Sequence, residues 1–384
     1  MHLAVISAFP PKLTGLGQYG WHVTHGLAAR AGFATITVLA EAFDGAAEEA
    51  GPVHVRRVWR RDDAASLATL WRALWEVRPD VLWFNTGMAM FGRSRRVNFM
   101  ALMTPLLARR ARIPVVTTLH EVFETVHARD LGMQNGAITT LGARLATRML
   151  LASNVVCVTL GQYARLLRAR YNANNVRHLP LGTYTAATLL PRPAHAPPRD
   201  VLFFSHHAPH RGLEALLAAF NTVRARCPGA TLTIAGSDHA RFPGYLGSVR
   251  ATANGQSGLR WRGPQAEAAL PALFADSTLV ALPYLATTGS SSVMFRAAAH
   301  GRPLLVSDLP DLRVAAAEAN LRVNFAPPGD AEAWGERLAA LLADGALLRA
   351  QAEHNVHAVR GLTLAATCAR YEALLKDAAT AAQF

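Results

Sequence analysis

The stretch from Leu279 to Asp308 constrains the fold more than any other. Leu279–Leu282 and Leu304–Val306 are apolar runs too short for helices and of the length expected for buried strands. Between them Thr287–Ser292 is polar and contains Gly289, and Ser292–His300 suits a short helix stopped by Gly301 and Pro303. Strand, loop, helix, strand is a crossover unit, and a crossover of this kind joins parallel strands. The loop ends where a helix begins, so open N–H groups and small hydroxyl side chains there can hold an anion such as a phosphate. Capping serines account for the same residues without any ligand.

The alternation runs through the whole chain. His2–Ser7 reads as a buried strand, a loop carrying Gly15 and Gly17 follows, and Trp21, Val23, Leu27 and Ala28 share one helical face. That loop joins a first strand to a first helix, where α/β sheets bind ligands, although a tight turn explains Gly-x-Gly equally well. Pro114–Leu119 is a strand candidate delivering His120 to its C-terminal end, where it serves either chemistry or structure. Pro191–Arg199 then holds four prolines in nine residues, the composition of an extended linker. After it the β/α alternation restarts and the chain closes on helical segments. The expected domains are 1–186, a linker 187–199, a second domain 200–362, and a terminal helix 363–384 packing back on the first.

Composition narrows the partners. The net charge is +13, almost all from arginine, which suits an anionic partner: phosphorylated substrates, an anionic membrane surface or nucleic acid. No zinc finger, RNP-type aromatic motif or basic heptad array is present, so nucleic acid is not expected. No apolar run approaches the ~18–20 residues of a membrane span. The N-terminus enters a strand without a basic leader, so no signal peptide is expected. Cys157, Cys227 and Cys368 lie far apart, without metal-ligand spacing, and fit a reducing cytoplasm. The segment from Arg93 to Arg112 sets six arginines around the apolar 99–107, which reads either as an interfacial membrane contact, with Phe99, Met100 and Leu102 inserting, or as a solvated helix with its inner face in the core.

Phe9-Pro-Pro followed by Gly15-Leu-Gly-Gln-Tyr, His120 after a mid-domain strand, Pro180-Leu-Gly-Thr and the phrase Ser205-His-His-Ala-Pro-His-Arg211-Gly-Leu together resemble the retaining GT-B glycosyltransferases of the glycogen-synthase and mannosyltransferase group, glycosyltransferase family 4. The resemblance covers nearly the whole chain. It implies an α/β chain of two facing Rossmann-like, doubly wound domains with a C-terminal helical tail, and a nucleoside diphosphate sugar as substrate. Arg211 and His206 would stand where the family's basic pair neutralises the donor pyrophosphate. Gly15, Gly17, Gly289, Ser290, Ser291 and Ser292 would lie against the phosphates, and His120 at the sugar or acceptor. The family's paired glutamates fall on Thr288 and Arg296, the sugar and ribose positions, and arginine cannot accept a hydrogen bond from a hydroxyl. Thr287-Thr-Gly-Ser-Ser resembles a Thr-Gly-Ser-Ser subgroup, and Asp308 or Asp311 is an expected substitute at the ribose.

The expected activity is sugar transfer to a hydroxyl on a lipid-linked glycan or a small molecule, in bacterial polysaccharide or glycolipid assembly. No cofactor and no metal are expected; His206, His207 and His210 suggest a metal site only weakly, for want of cysteine or carboxylate ligands other than Glu214. The expected location is cytoplasmic, with peripheral attachment to the inner face of the membrane. The missing glutamates also suit a catalytically silent GT-B protein that binds a glycan or a protein partner.

Overall fold

The computed structural model describes residues 1–11, 14–43, 51–122, 137–191, 193–194, 199–287 and 289–381, without the side chains of 137–139. The chain forms two units, Met1–Leu181 with Leu364–Phe384, and Gly182–Thr363.

The first unit is built on seven parallel strands: β1 (His2–Ile6), β2 (Thr35–Glu41), β3 (His54–Trp59), β4 (Val81–Thr86), β5 (Val115–Leu119), β6 (Val155–Val158) and β7 (Val176–His178). Their order is β3-β2-β1-β4-β5-β6-β7. Every residue of β4 and β5 is buried, as a strand covered on both faces must be. The connecting helices are α1 (Gly15–Ala29), α2 (Ala64–Val77), α3 (Arg95–Ala101), α4 (Thr104–Arg110), α5 (Ala137–Leu151) and α6 (Gly161–Tyr171). Thr14 caps α1 by accepting from the Gly17 N–H at 2.9 Å, and Asp63 caps α2.

The second unit has six parallel strands: β8 (Asp200–His207), β9 (Thr231–Asp238), β10 (Leu259–Arg262), β11 (Leu279–Leu282), β12 (Leu304–Ser307) and β13 (Asn324–Ala326), ordered β10-β9-β8-β11-β12-β13. Its helices are α7 (Leu213–Arg226), α8 (Tyr245–Thr252), α9 (Leu270–Asp276), α10 (Ser292–Ala299), α11 (Pro310–Glu318), α12 (Ala331–Ala343) and α13 (Gly345–Val359). The last helix, α14 (Leu364–Ala381), belongs to the first unit, where the Tyr371 hydroxyl meets Tyr19 Oη at 3.0 Å and Thr118 Oγ1 at 2.8 Å.

The architecture is the expected one of two Rossmann-like parallel sheets and a helical tail. The division between units falls after Leu181 rather than at 186, because Thr183 bridges Thr363 and Tyr184 lies under Arg296. The start of the expected linker, just before the proline-rich run, is also tied down. The Thr188 N–H donates to Ala299 O at 2.8 Å, and the buried Arg302 donates to the carbonyls of Leu190 and Ser277.

Each sheet has one switch point, where strand order reverses: between β1 and β4 in the first unit, and between β8 and β11 in the second. The carboxyl ends of these strands splay apart, and ligands of open α/β sheets bind there.

Candidate functional site

At the second unit's switch point the end of β8 and the loop after it carry Ser205 to Arg211, and the β11 loop carries Pro283 to Ser291. They are joined by backbone. The Leu285 N–H donates to His210 O at 2.9 Å, and Gly212, at φ +75°, lies so close that a Cβ would sit 1.8 Å from Pro283 O. Only glycine fits that position, both for its conformation and for its lack of a side chain.

The contact positions Arg211. Its guanidinium lies 4.5 Å from the ring centroid of Tyr284, the second residue after β11 in chain order. The Tyr284 hydroxyl in turn is 3.4 Å from Ser291 Oγ, at the N-cap of α10. One cation and one helix start are thus linked through a single aromatic ring. Arg211 Nε and Ser290 Oγ are both buried without a hydrogen-bond partner, a costly state that a phosphate oxygen would relieve. Ser292 opens α10, so its N–H is among those that no helical carbonyl can reach. Gly289, at φ +74°, stands differently: its N–H donates to Asp311 Oδ2 at 2.9 Å and shapes the loop instead of facing a ligand. Thr288 lies outside the described residues.

His206, the last residue but one of β8, has its Nδ1 3.1 Å from Ser237 Oγ. Burial, and then the charge of Arg211, hold its pKa below the usual histidine value, so its imidazole offers a hydrogen bond rather than a charge. Burial likewise lowers His207 to about 4, with its Nε2 3.1 Å from Ala235 O. Burial and then Arg211 lower His210 to about 3. Among the described residues no group of three His, Cys, Asp or Glu side chains is arranged to hold a metal ion.

Arg296 is 3% exposed, and its fork donates to both carboxylate oxygens of Glu267 at 2.5 and 3.1 Å. The guanidinium carbon also lies over the Tyr184 ring, 4.4 Å from its centroid. Asp308 is paired with Arg313, and Asp311 with the Gly289 N–H.

In the first unit His120 leaves the carboxyl end of β5. Its Nε2 is 2.7 Å from Asn85 Oδ1 at the neighbouring end of β4. Asn85 donates through Nδ2 to Ser7 Oγ at 2.9 Å, so its oxygen accepts and the histidine proton sits on Nε2. Burial pushes the His120 pKa down to about 4, leaving Nδ1 with a lone pair at neutral pH. Gly15 and Gly17 form the first turn of α1, but the Gly17 N–H is taken by Thr14 Oγ1. Packing instead excludes a side chain at Gly20, where a Cβ would sit 2.4 Å from Ser7 Oγ and 3.2 Å from Asn85 Nδ2.

Sequence reasoning passed over Tyr284, Asn85, Glu267 and Tyr184. Tyr284 carried a signal, being an aromatic directly after a switch-point strand. The other three act through partners on distant elements and carry none.

Residues 198–344 match the family model described as Glycosyl transferases group 1. That segment contains Arg211, Tyr284, the α10 start and Arg296. No curated protein matches the chain in sequence. Similar solved structures include sucrose-phosphate synthase from Thermosynechococcus elongatus, at 16% identity and TM-score 0.76 over 99% of each chain. Anabaena HepE in complex with UDP-glucose is 16% identical with TM-score 0.71, over 98% of this chain and 100% of that one. WaaG, a glycosyltransferase involved in lipopolysaccharide biosynthesis, is 15% identical with TM-score 0.70, over 98% and 99%. At these identities the likeness establishes the GT-B fold.

Proposed function

We propose that the chain transfers a sugar from a nucleoside diphosphate sugar to a hydroxyl, with retention of anomeric configuration, in assembling a polysaccharide or glycolipid. The observation that supports this reading is the link from Arg211 through Tyr284 to the start of α10, with unpartnered polar atoms buried on both sides. When the bond between the sugar and the diphosphate breaks, negative charge passes to the departing phosphate. Arg211, Ser290 Oγ and the first N–H groups of α10 are held in place beforehand, so they stabilise that charge without reorganising. This reading needs no metal ion. His206 adds a neutral hydrogen bond.

His120 is assigned to a hydroxyl of the sugar or the acceptor, which its Nδ1 lone pair accepts. Arg296 cannot accept from the ribose. We therefore assign that role to Glu267, whose carboxylate Arg296 holds, with lone pairs that a guanidinium lacks. HepE in complex with UDP and with UDP-glucose makes uridine diphosphate the first donor fragment to test.

The experiment is a thermal-shift panel of nucleoside diphosphates on the parent and on Arg211→Ala. A bound diphosphate at ~100 times its Kd adds ~2.7 kcal/mol of stability. Arg211→Ala should lose that shift and ~2–4 kcal/mol of transition-state stabilisation while melting near the parent without ligand. If no diphosphate stabilises the parent, the donor assignment fails. Donor cleavage by the purified protein then separates an enzyme from a silent binder, and the anomer of the product tests retention.

A further inference from the structure

The protein's charge is unevenly distributed. Residues 81–181 carry 13 arginines, no lysine and only three acidic residues, a net +10 of the chain's +13. The strand order gathers this charge. From β4 to β7 the chain steps across the sheet in one direction, so right-handed crossovers lay α3, α4, α5 and α6 on one side of it. The helices α1 and α14 pack together, and the step from β1 to β2 runs the other way, which puts them on the opposite side. On the first side Arg95 and Arg96 of α3, Arg109 and Arg110 of α4, and Arg144 and Arg148 of α5 are all exposed. Between 81 and 181 the acidic residue among those described is Glu121, whose carboxylate accepts from the Met88 N–H.

Within this face α5 presents a mixed stripe. Leu141 is 66% exposed and Leu145 47%, and with Arg144 and Arg148 they occupy successive positions along one side of the helix. Ala146, Met149 and Leu150 fill its inner side. Single exposed leucines are ordinary. Two stacked between arginines on a strongly basic face form the pattern of a helix lying in a membrane interface. Arg148, 5.6 Å from the centroid of Tyr171, lines a shallow recess together with Arg109, which donates to Ala152 O at 2.6 Å. The sequence had pointed to Phe99, Met100 and Leu102 as the inserting residues. Leu102 is 6% exposed and belongs to the core, Phe99 and Met100 are half-buried, and the exposed leucines of this face are on α5.

We propose that the α3–α6 face of the first unit docks on an anionic lipid bilayer, with Leu141 and Leu145 at the acyl boundary and Arg109, Arg144 and Arg148 on lipid phosphates. Among the described residues no helix is long and apolar enough to cross a membrane, so this attachment is to the surface. Because α5 leads into β6 and runs against it, its leucine end lies toward the carboxyl edge of the sheet, the edge that carries His120. A lipid-borne hydroxyl acceptor would meet the protein there. That last point rests on the function proposed above; the docking does not.

The test is co-sedimentation with vesicles of phosphatidylcholine alone and of phosphatidylcholine mixed with phosphatidylglycerol. The parent should pellet with the mixed vesicles only and be released near molar salt, where the Debye length is ~3 Å. Leu141→Glu/Leu145→Glu and Arg144→Glu/Arg148→Glu should each lower partitioning by more than about tenfold. Arg370→Glu, on α14 at the other side of the sheet, should leave it unchanged. Circular dichroism confirms that the variants fold, and Leu141→Ala/Leu145→Ala gives an intermediate loss without adding charge. Equal recovery in the supernatant with both vesicle types overturns the proposal, as does parent-like binding by Leu141→Glu/Leu145→Glu. Binding of a labelled single-stranded RNA more tightly than vesicles at the same ionic strength would reassign the face to nucleic acid.

Discussion

Arg296 shows how a single residue changes meaning with its surroundings. In the sequence it is an arginine where the resembling family places a carboxylate. In the fold it is buried, paired at two points to Glu267 and set over the Tyr184 ring. Its contribution is therefore to hold a carboxylate in place, and breaking such a pair leaves an uncompensated charge. Arg296→Glu should destabilise the second unit by ~3–5 kcal/mol, because two carboxylates then share one partly buried site. The swapped pair Arg296→Glu with Glu267→Arg should recover part of that loss. Urea unfolding of the single and double variants checks both; equal midpoints for Arg296→Glu and the parent would show that the pair contributes nothing to stability.

At the scale of elements, the site depends on two loops held together rather than on either alone. The β8–α7 turn and the β11–α10 loop meet at Gly212, and His210 O takes the Leu285 N–H. Gly212→Ala forces a side chain toward Pro283 O at a positive φ, so the loops must part. The strain is of order 1–3 kcal/mol. The larger consequence should be functional, since Arg211 is carried on one loop and the α10 start follows the other. The variant should remain folded, with a midpoint lowered by several degrees, and should lose most of its stabilisation by a nucleoside diphosphate. Calorimetry with and without uridine diphosphate distinguishes this from a purely thermal defect, in which the ligand increment would survive.

At the scale of the molecule, the two units should respond differently to acid. Burial holds His207 and His300 at about 4 and His210 at about 3, all in the second unit. In the first unit His120 is likewise held at about 4 and His2 below its usual value. An unfolded histidine takes up its proton near pH 6.5. Between that value and the folded pKa the unfolded state binds more protons, so stability is complete above about pH 6.5 and falls as pH drops toward 4. For the buried His207 and His300, 0% and 3% exposed, the loss by pH 5 is on the order of 1–2 kcal/mol each. A calorimetric series from pH 7 to about 4.5 should therefore show the transition of the second unit moving down first. His120 should stay neutral near pH 6.5, so a fall in activity there would have to come from another group.

The sequence by itself determined the class of fold and which residues lie at its strand ends. Short apolar runs alternating with helical segments are local patterns, and the residues between them must lie at strand ends. The serines before α10 and His120 were placed at strand ends for that reason, whereas Arg211 stood out only through the family resemblance. What tertiary structure decided were the pairings between elements distant in the chain. Asn85 orients His120 from 35 residues away, Glu267 holds Arg296 from 29, and Tyr284 joins Arg211 to α10 only because β8 and β11 are neighbours. The same holds for the surface. Leu102 and Leu141 are alike in the sequence, and the first is core while the second is exposed because strand order and helix rotation assign each a side. No residue carries that information alone, since it belongs to which strands pair and in what order, and those choices are made by the burial of the whole chain.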